Sequence, residues 1–137
     1  MDEPINLILF SGTDDKLQAA AVLTAGAAAL GKPVNIFLQY WALDAFRTSR
    51  IGDEHGLAPE AGADGRAAVR ALSAAGQASW ADTLRQAKDL GGVDIQACSL
   101  SMDLLKLEVE DLDRLVDGVE GVTAFYLNAG GGQLIFI

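Results

Sequence analysis

Hydrophobic residues near the start of the chain follow first a strand pattern and then a helix pattern. Residues 5–10 are almost all apolar, which is typical of a strand that is covered on both faces of a parallel sheet. Residues 17–30 repeat apolar side chains at helical spacing, and Thr13 or Asp14 precedes them as a candidate N-cap. A second apolar run occupies residues 34–38. This order predicts a β-α-β unit with parallel strands and a right-handed crossover.

The second half of the chain consists of shorter segments of the same two patterns, separated by glycines. Helical spacing of apolar side chains predicts the helices, and short apolar runs predict the strands. The predicted elements are a helix at 79–90, a strand at 93–97, a helix at 99–105, a helix at 108–116, a turn or very short edge strand at 117–121, a helix at 122–128 and a strand at 133–137. Residues 122–127 also fit a strand pattern. Strands that alternate with helices indicate an α/β fold with a mainly parallel sheet.

Between these two parts the pattern weakens. A short helix is predicted around residues 43–46, after which residues 48–76 contain five glycines, Pro59 and many alanines. Part of that segment, at 66–75, can form a helix, and the remainder is predicted to be a long loop or a lid-like excursion. Because the excursion is too short to be a second domain, we expect one domain over residues 1–137.

Composition and charge argue against nucleic acids and membranes as partners and indicate where the protein is located. The net charge of −9 disfavours nucleic acid and anionic membrane surfaces, since both require clustered Lys and Arg. No apolar run reaches the ~18–20 residues that span a bilayer, and Asp2 and Glu3 stand where a secretory signal carries positive charge. We therefore expect a cytoplasmic protein.

The only cysteine, Cys98, falls at the junction of the predicted strand 93–97 and the following helix. In parallel α/β sheets this edge is where ligands and reactive groups collect. The backbone N–H groups of Ser99, Leu100 and Ser101 would stabilise a thiolate or a persulfide anion. The alternative is that the cysteine is a small buried hydrophobe and that the two serines only cap the helix.

Three further residues are predicted to lie at the same edge of the sheet. Gly12 follows the first strand, and the aromatic pair Tyr40 and Trp41 follows the second. Because the carboxyl ends of parallel strands meet at one edge, this pair can wall a cleft over Cys98. Alternatively, the two rings only pack at the rim of the fold.

Signals for a cofactor or a metal ion are weak. Residues 11–16 lack both nucleotide-binding glycine patterns, and Asp14 and Asp15 occupy the helix end that a phosphate would need. The sole histidine, His55, has two acidic neighbours in a glycine-rich loop, but adjacent loop residues are poor evidence for a metal site. We expect neither a cofactor nor a metal.

Four segments together resemble the DsrE/DsrF-like family, in the branch described as sulfur-reduction or peroxiredoxin-like proteins. They are SGTDDK at 11–16, FLQYWAL at 37–43, IQACSLSMDLL at 95–105 and GVTAF at 121–125. The cysteine segment is the most specific of them. The chain departs from the family at Ala42, where a glycine is usual, and in residues 48–76.

The resemblance implies a three-layer α/β/α domain with a mainly parallel sheet of about five strands. It also implies that Cys98 matches the sulfur-accepting cysteine of the family, and that the protein forms homo- or hetero-oligomers. Family members with known roles pass persulfide sulfur between carrier proteins. The function expected from this resemblance is an intracellular sulfur relay, with sulfur donor and acceptor proteins as partners.

Two other functions remain open from the sequence. One is a non-catalytic oligomeric subunit in which Cys98 is buried and inert. The other is a thiol redox sensor, which would need a partner to resolve its sulfenic acid because these 137 residues contain no second cysteine.

Overall fold

A five-stranded sheet forms the centre of the computed structural model, which describes residues 3–137. The strands are β1 (Ile5–Leu9), β2 (Val34–Leu38), β3 (Val93–Cys98), β4 (Gly118–Glu120) and β5 (Leu134–Phe136). Their order across the sheet is β4-β3-β2-β1-β5, and every pairing is parallel. This single α/β domain with a parallel five-stranded sheet confirms the fold class predicted from the sequence.

Within residues 3–137, six α-helices connect or flank the strands. They are α1 (Asp14–Ala29), α2 (Tyr40–Ala45), α3 (Gly62–Ala74), α4 (Trp80–Leu90), α5 (Ser99–Leu105) and α6 (Val122–Ala129). Short 3₁₀ turns occur at Pro59–Ala61 and Val109–Asp111. The β-α-β unit predicted from the first forty residues is confirmed as β1, α1 and β2, which pair in register from Ile5–Val34 to Leu9–Leu38.

The two faces of the sheet are covered unequally. Side chains alternate along each strand, so Leu7, Ile36 and Ile95 point to one face and form the main core with α1 and α4. The opposite face carries Phe37 and Cys98 and is covered by α6. Helices on both faces give the three layers of the fold, but the layer over Cys98 contains one short helix.

Hydrogen bonds from two asparagine side chains hold the end of α6 against the face of the sheet that carries Phe37 and Cys98. The buried Asn6 side chain donates to the carbonyl oxygens of Ala129 (3.2 Å) and Gln133 (3.0 Å). Asn35, its register neighbour on β2, donates to the Asn6 side-chain oxygen (3.0 Å) and to the carbonyl of Asn128 (3.1 Å). Because buried amides need partners, these two asparagines fix where α6 ends.

The helix predicted at residues 108–116 is wrong. The structure has only the 3₁₀ turn Val109–Asp111 there, followed by a β-bridge at Leu112 and a second turn at residues 114–115. The Asp111 carboxylate accepts from the backbone N–H of Glu108, and the Asp113 carboxylate accepts from that of Leu115. Such local side-chain bonds compete with a helix, and the backbone on either side of Leu112 instead forms antiparallel hydrogen bonds with the segment after α2.

The middle segment, residues 48–76, divides into two parts with different environments. Residues 55–58 pack near the start of α1, where Ala58 is buried. The predicted helix at 66–75 exists but is longer, because α3 begins at Gly62. No residue of α3 is buried, and every residue from 66 to 79 is exposed. This helix therefore extends from the domain without packing on it.

Candidate functional site

Cys98 ends β3 and is the N-cap residue of α5. The strand-to-helix junction predicted from the sequence is therefore present, at the carboxyl edge of the sheet. The side chain is only 5% exposed and packs with Phe37, Phe125 and Ile8 on the face covered by α6. The thiol thus lies beneath α6 in apolar surroundings.

Two stacked aromatic rings, one of them carried by α6, pack with Cys98. Phe37 on β2 and Phe125 on α6 have ring centroids 4.8 Å apart and planes inclined by 16°. Both side chains are fully buried. Glycines flank the helix that carries Phe125, with Gly121 at its start and Gly130, at φ +57°, at its end. The cover is therefore one short helix with a glycine at each end.

The first turn of α5 follows the sulfur directly. Ser99 and Leu100 are exposed, whereas Ser101 is fully buried. The Ser101 hydroxyl oxygen accepts a hydrogen bond from the backbone N–H of Tyr40 at 3.1 Å. The first N–H groups of an α-helix have no acceptor within the helix, so those of residues 99–101 are the donors nearest the sulfur along the chain. Ser101 joins α5 to α2.

Tyr40 stands in a backbone conformation that non-glycine residues rarely adopt, with φ +43°. Besides the hydrogen bond to Ser101, its ring packs against Phe10 at 4.9 Å. Phe10 in turn contacts Phe136 at 5.9 Å, and Trp41 lies 6.0 Å from Tyr40. The predicted aromatic pair therefore belongs to a row of four rings at the carboxyl edge of the sheet.

Gly12 and Trp41 are in direct contact. This agrees with the sequence, because the two residues follow neighbouring parallel strands. A Cβ atom on Gly12 would lie 2.3 Å from the Trp41 carbonyl oxygen, so only glycine fits. Both residues line a shallow cavity together with His55 and Arg50. The lining of this cavity does not include Cys98, whose side chain lies under α6.

The carboxylates of the two aspartates at the start of α1 accept hydrogen bonds from other parts of the chain. Asp14 accepts from the Trp80 indole N–H (2.9 Å) and from the backbone N–H of His55 (2.8 Å). Burial raises the pKa of Asp15, but hydrogen bonds from the Thr13 hydroxyl and the Ala58 backbone outweigh burial and hold this pKa below its usual value. These carboxylates occupy the helix end where an anion would otherwise bind.

His55 is half-buried and lies against Trp80, with ring centroids 5.9 Å apart. Within residues 3–137, no three His, Cys, Asp or Glu side chains come together in a way that could hold a metal ion. Across the same residues, no helix is both long enough and apolar enough to cross a membrane.

Glu120 is a candidate site residue that the sequence did not indicate. It is the register partner of Cys98 on the neighbouring strand β4, so the two side chains leave the same face of the sheet about 5 Å apart at Cα. Burial and the negative charge of Asp94 raise the pKa of Glu120, while a hydrogen bond from Asn128 opposes the rise. The sequence around Glu120 did not indicate a functional residue. Its position beside Cys98 depends on the register between β3 and β4, which local sequence does not specify.

These features define a class of protein: a parallel α/β domain with a single buried thiol at the carboxyl edge of its sheet and a carboxyl group on the adjacent strand. Residues 1–62 match the DsrE/DsrF/DrsH-like family, and this confirms the family resemblance inferred from the sequence. The match spans β1 to α2 and reaches into the middle segment that had seemed unlike the family. It ends before Cys98.

One curated protein and two solved structures resemble most or all of the chain. The uncharacterized protein YrkE of Bacillus subtilis (strain 168) is 27% identical over 149 aligned residues, which cover 93% of this chain and 92% of that protein. The crystal structure of the YchN protein from E. coli is similar with a TM-score of 0.60 at 12% identity, covering 100% of both chains. A protein of unknown function from Methanobacterium thermoautotrophicum has a TM-score of 0.51 at 15% identity, covering 97% of this chain and 99% of that one. These two structures share the fold.

Proposed function

We propose that the protein is a sulfur carrier in which Cys98 accepts sulfane sulfur as a persulfide and passes it to a partner protein. The observation that carries the proposal is the position of Cys98, the only thiol, at the β3–α5 junction of a fold that resembles the DsrE/DsrF-like family. That family resemblance supports a role of the sulfur-relay type. The partners are a donor and an acceptor of sulfur, and the relay operates in the cytoplasm between oligomeric proteins.

The chemistry is an exchange at sulfur. The Cys98 thiolate attacks the outer sulfur of a donor persulfide, a new S–S bond forms, and the S–S bond of the donor breaks. The donor leaves as a thiolate with the electron pair of the broken bond. An acceptor thiolate then repeats the attack on the outer sulfur carried by Cys98. No oxidant or reductant is consumed, which suits a protein with one thiol.

Proton transfer in this exchange has a candidate partner. Loading requires that the Cys98 thiol lose its proton, and Glu120 is the carboxyl group on the adjacent strand. Because its pKa is raised, its carboxylate is a stronger base than an ordinary glutamate. The N–H groups of Ser99, Leu100 and Ser101 are the donors proposed to stabilise the persulfide anion.

Access to the thiol requires movement of its cover. Cys98 is 5% exposed, so the donor reaches the sulfur only when Phe125 and α6 move away from Phe37. α6 would turn at Gly121 and Gly130 once the hydrogen bonds from Asn6 and Asn35 to its last carbonyl groups break. Docking of the donor protein on the exposed side of α6, which carries Tyr126 and Leu127, would couple opening to delivery of sulfur.

Incubation with a sulfane-sulfur donor, followed by intact-mass measurement, tests the proposal. The wild type should gain about one sulfur mass (~32 Da), and dithiothreitol should remove it. Cys98→Ser and Cys98→Ala should gain nothing while keeping the wild-type circular dichroism spectrum. An unmodified wild type, or an adduct that persists in both variants, would refute sulfur carriage on Cys98.

One observation favours a second function. The apolar surroundings of Cys98 are those of a structural cysteine, and a non-catalytic oligomeric subunit would require nothing more of it. In that case Cys98 in the folded protein would react with iodoacetamide only as fast as global unfolding exposes it. Under the carrier proposal the reaction is faster than global unfolding, because opening of α6 alone is sufficient.

A further inference from the structure

The shallow cavity at the carboxyl ends of β1 and β2 has a volume of about 320 Å³. Its wall contains Ser11, Gly12 and Thr13 after β1, Trp41 after β2, and His55 from the loop that follows α2. This volume lies at the lower end of the roughly 300–1,000 Å³ that is typical of small-molecule sites. The carboxyl ends of parallel strands are also where such sites usually occur. The position and the volume of the cavity therefore suit a small ligand.

The ion pairs beside this cavity leave a positive charge, although the whole chain carries −9. Asp44 is the one acidic residue in the cavity wall, and its carboxylate is shared by the guanidinium groups of Arg47 and Arg50. One carboxylate between two guanidinium groups leaves one net positive charge. In the part of the chain that the structure describes, Asp44 is the only acidic partner of Arg50. Because a guanidinium group has five N–H donors, Arg50 can bind an anion as well.

A side-chain nitrogen in the cavity wall lacks a hydrogen-bond partner. Among the described residues 3–137, only two buried side-chain nitrogens form no hydrogen bond, and they are His55 Nε2 and Arg47 Nε. Buried polar atoms in proteins are almost always bonded, so each of these two needs an explanation. His55 lines the cavity, and Arg47 shares Asp44 with Arg50. An acceptor in the cavity would satisfy His55 Nε2 once the imidazole turns toward it, since this atom has almost no exposed surface.

The same wall offers a hydroxyl group and an aromatic face. The Ser11 hydroxyl has only a long contact, 3.3 Å, with the Thr13 hydroxyl, which is itself bonded to Asp15. Ser11 is therefore free to donate to a ligand. Trp41 is 56% exposed and lines the cavity. An organic ligand would cover this indole ring, whereas an inorganic ion would leave it in water.

We propose that this cavity binds a small organic molecule with a single negative charge, carried on a carboxylate or a sulfonate. Arg50 pairs with the charged group, Ser11 donates to it, and the apolar part of the molecule lies on Trp41. A single charge is favoured over a double one, because Asp14 and Asp15 stand at the start of α1 directly after Thr13. The lining of the cavity does not include Cys98, so this binding goes beyond sulfur carriage and does not depend on it.

Titration of the full chain with benzoate, followed by ¹H–¹⁵N NMR, tests the proposal. Benzoate should shift the amide signals of Gly12, Thr13 and Trp41 saturably, with a Kd of about 1 mM. Benzamide has nearly the same shape without the charge and should bind at least about tenfold more weakly. Benzenesulfonate carries its charge on a sulfonate, so the tighter of the two anions identifies the charged group of the ligand.

Two variants and a matched control assign the binding to this cavity. Arg50→Gln should weaken benzoate binding at least about tenfold, and Ser11→Ala about three- to tenfold. Arg85→Gln is the control and should bind like the wild type, because Arg85 also pairs with an aspartate and is 44% exposed, against 46% for Arg50. The proposal would be overturned by the absence of saturable shifts with both anions up to about 20 mM, by benzamide binding as tightly as benzoate, or by Arg50→Gln binding like the wild type.

Discussion

At the carboxyl edge of the sheet, the backbone at Gly12 lies so close to the backbone at Trp41 that only glycine fits at position 12. Gly12→Ala would place a Cβ atom 2.3 Å from the Trp41 carbonyl, so the ends of β1 and β2 would have to separate. We expect a loss of about 1–3 kcal/mol in the free energy of unfolding, measured by urea denaturation. Gly26→Ala is the matched control, because nothing lies within 4 Å of that position on α1. It should stabilise the protein by up to ~1 kcal/mol.

The raised pKa of Glu120 has a consequence for stability. Between its usual value of 4.5 and the higher value in the fold, the folded protein holds a proton that the unfolded chain has released. Stability therefore falls as pH rises through this interval, and the penalty persists above it. Glu120→Gln should remove this decline and raise the melting temperature at pH 7. Melting curves of both proteins from pH 4 to 8 measure the effect, and a variant that melts lower than wild type at pH 7 would contradict it.

Elements are joined by a few polar contacts, and Asp14 makes two of them. Its carboxylate holds the indole of Trp80 at the start of α4 and the loop at His55. Asp14→Ala leaves the buried Trp80 N–H without its acceptor, and we expect a loss of about 1–3 kcal/mol. Asp82→Ala, which removes an exposed pair with Arg85 on α4, should cost about 0.5 kcal/mol. Equal losses in urea denaturation would show that Asp14 does not anchor α4.

Under the proposed function, the helix α6 controls access to the Cys98 thiol. Phe125→Leu weakens the stack on Phe37, so α6 should open more often and Cys98 should react faster with iodoacetamide. Leu127→Ala changes a residue of the same helix that is 78% exposed and should leave the rate unchanged. A rate that does not differ between Phe125→Leu and the wild type would mean that α6 is not the barrier.

At the scale of the whole molecule, the sequence predicted the elements that have their own local hydrophobic pattern, and it did not predict contacts between distant segments. The β-α-β unit was predictable because each element has its own hydrophobic period, and the β3–α5 junction was predictable from the change at Cys98. The helix at 108–116 failed because aspartate side chains and distant backbone bonds replace its hydrogen bonds. The cover of α6 and the pairing of Glu120 with Cys98 depend on packing and register between distant segments, which no local pattern specifies.

Transfer of labelled sulfur tests the central claim most directly. The protein is loaded with ³⁴S sulfane sulfur, freed of excess donor and mixed with an acceptor thiol, and the mass of the protein is followed with time. We expect Cys98 to carry one label that moves to the acceptor, while Cys98→Ser never becomes labelled. A wild type that takes up no label, or a label on Cys98 that no acceptor thiol removes, would contradict the account of this protein as a sulfur carrier.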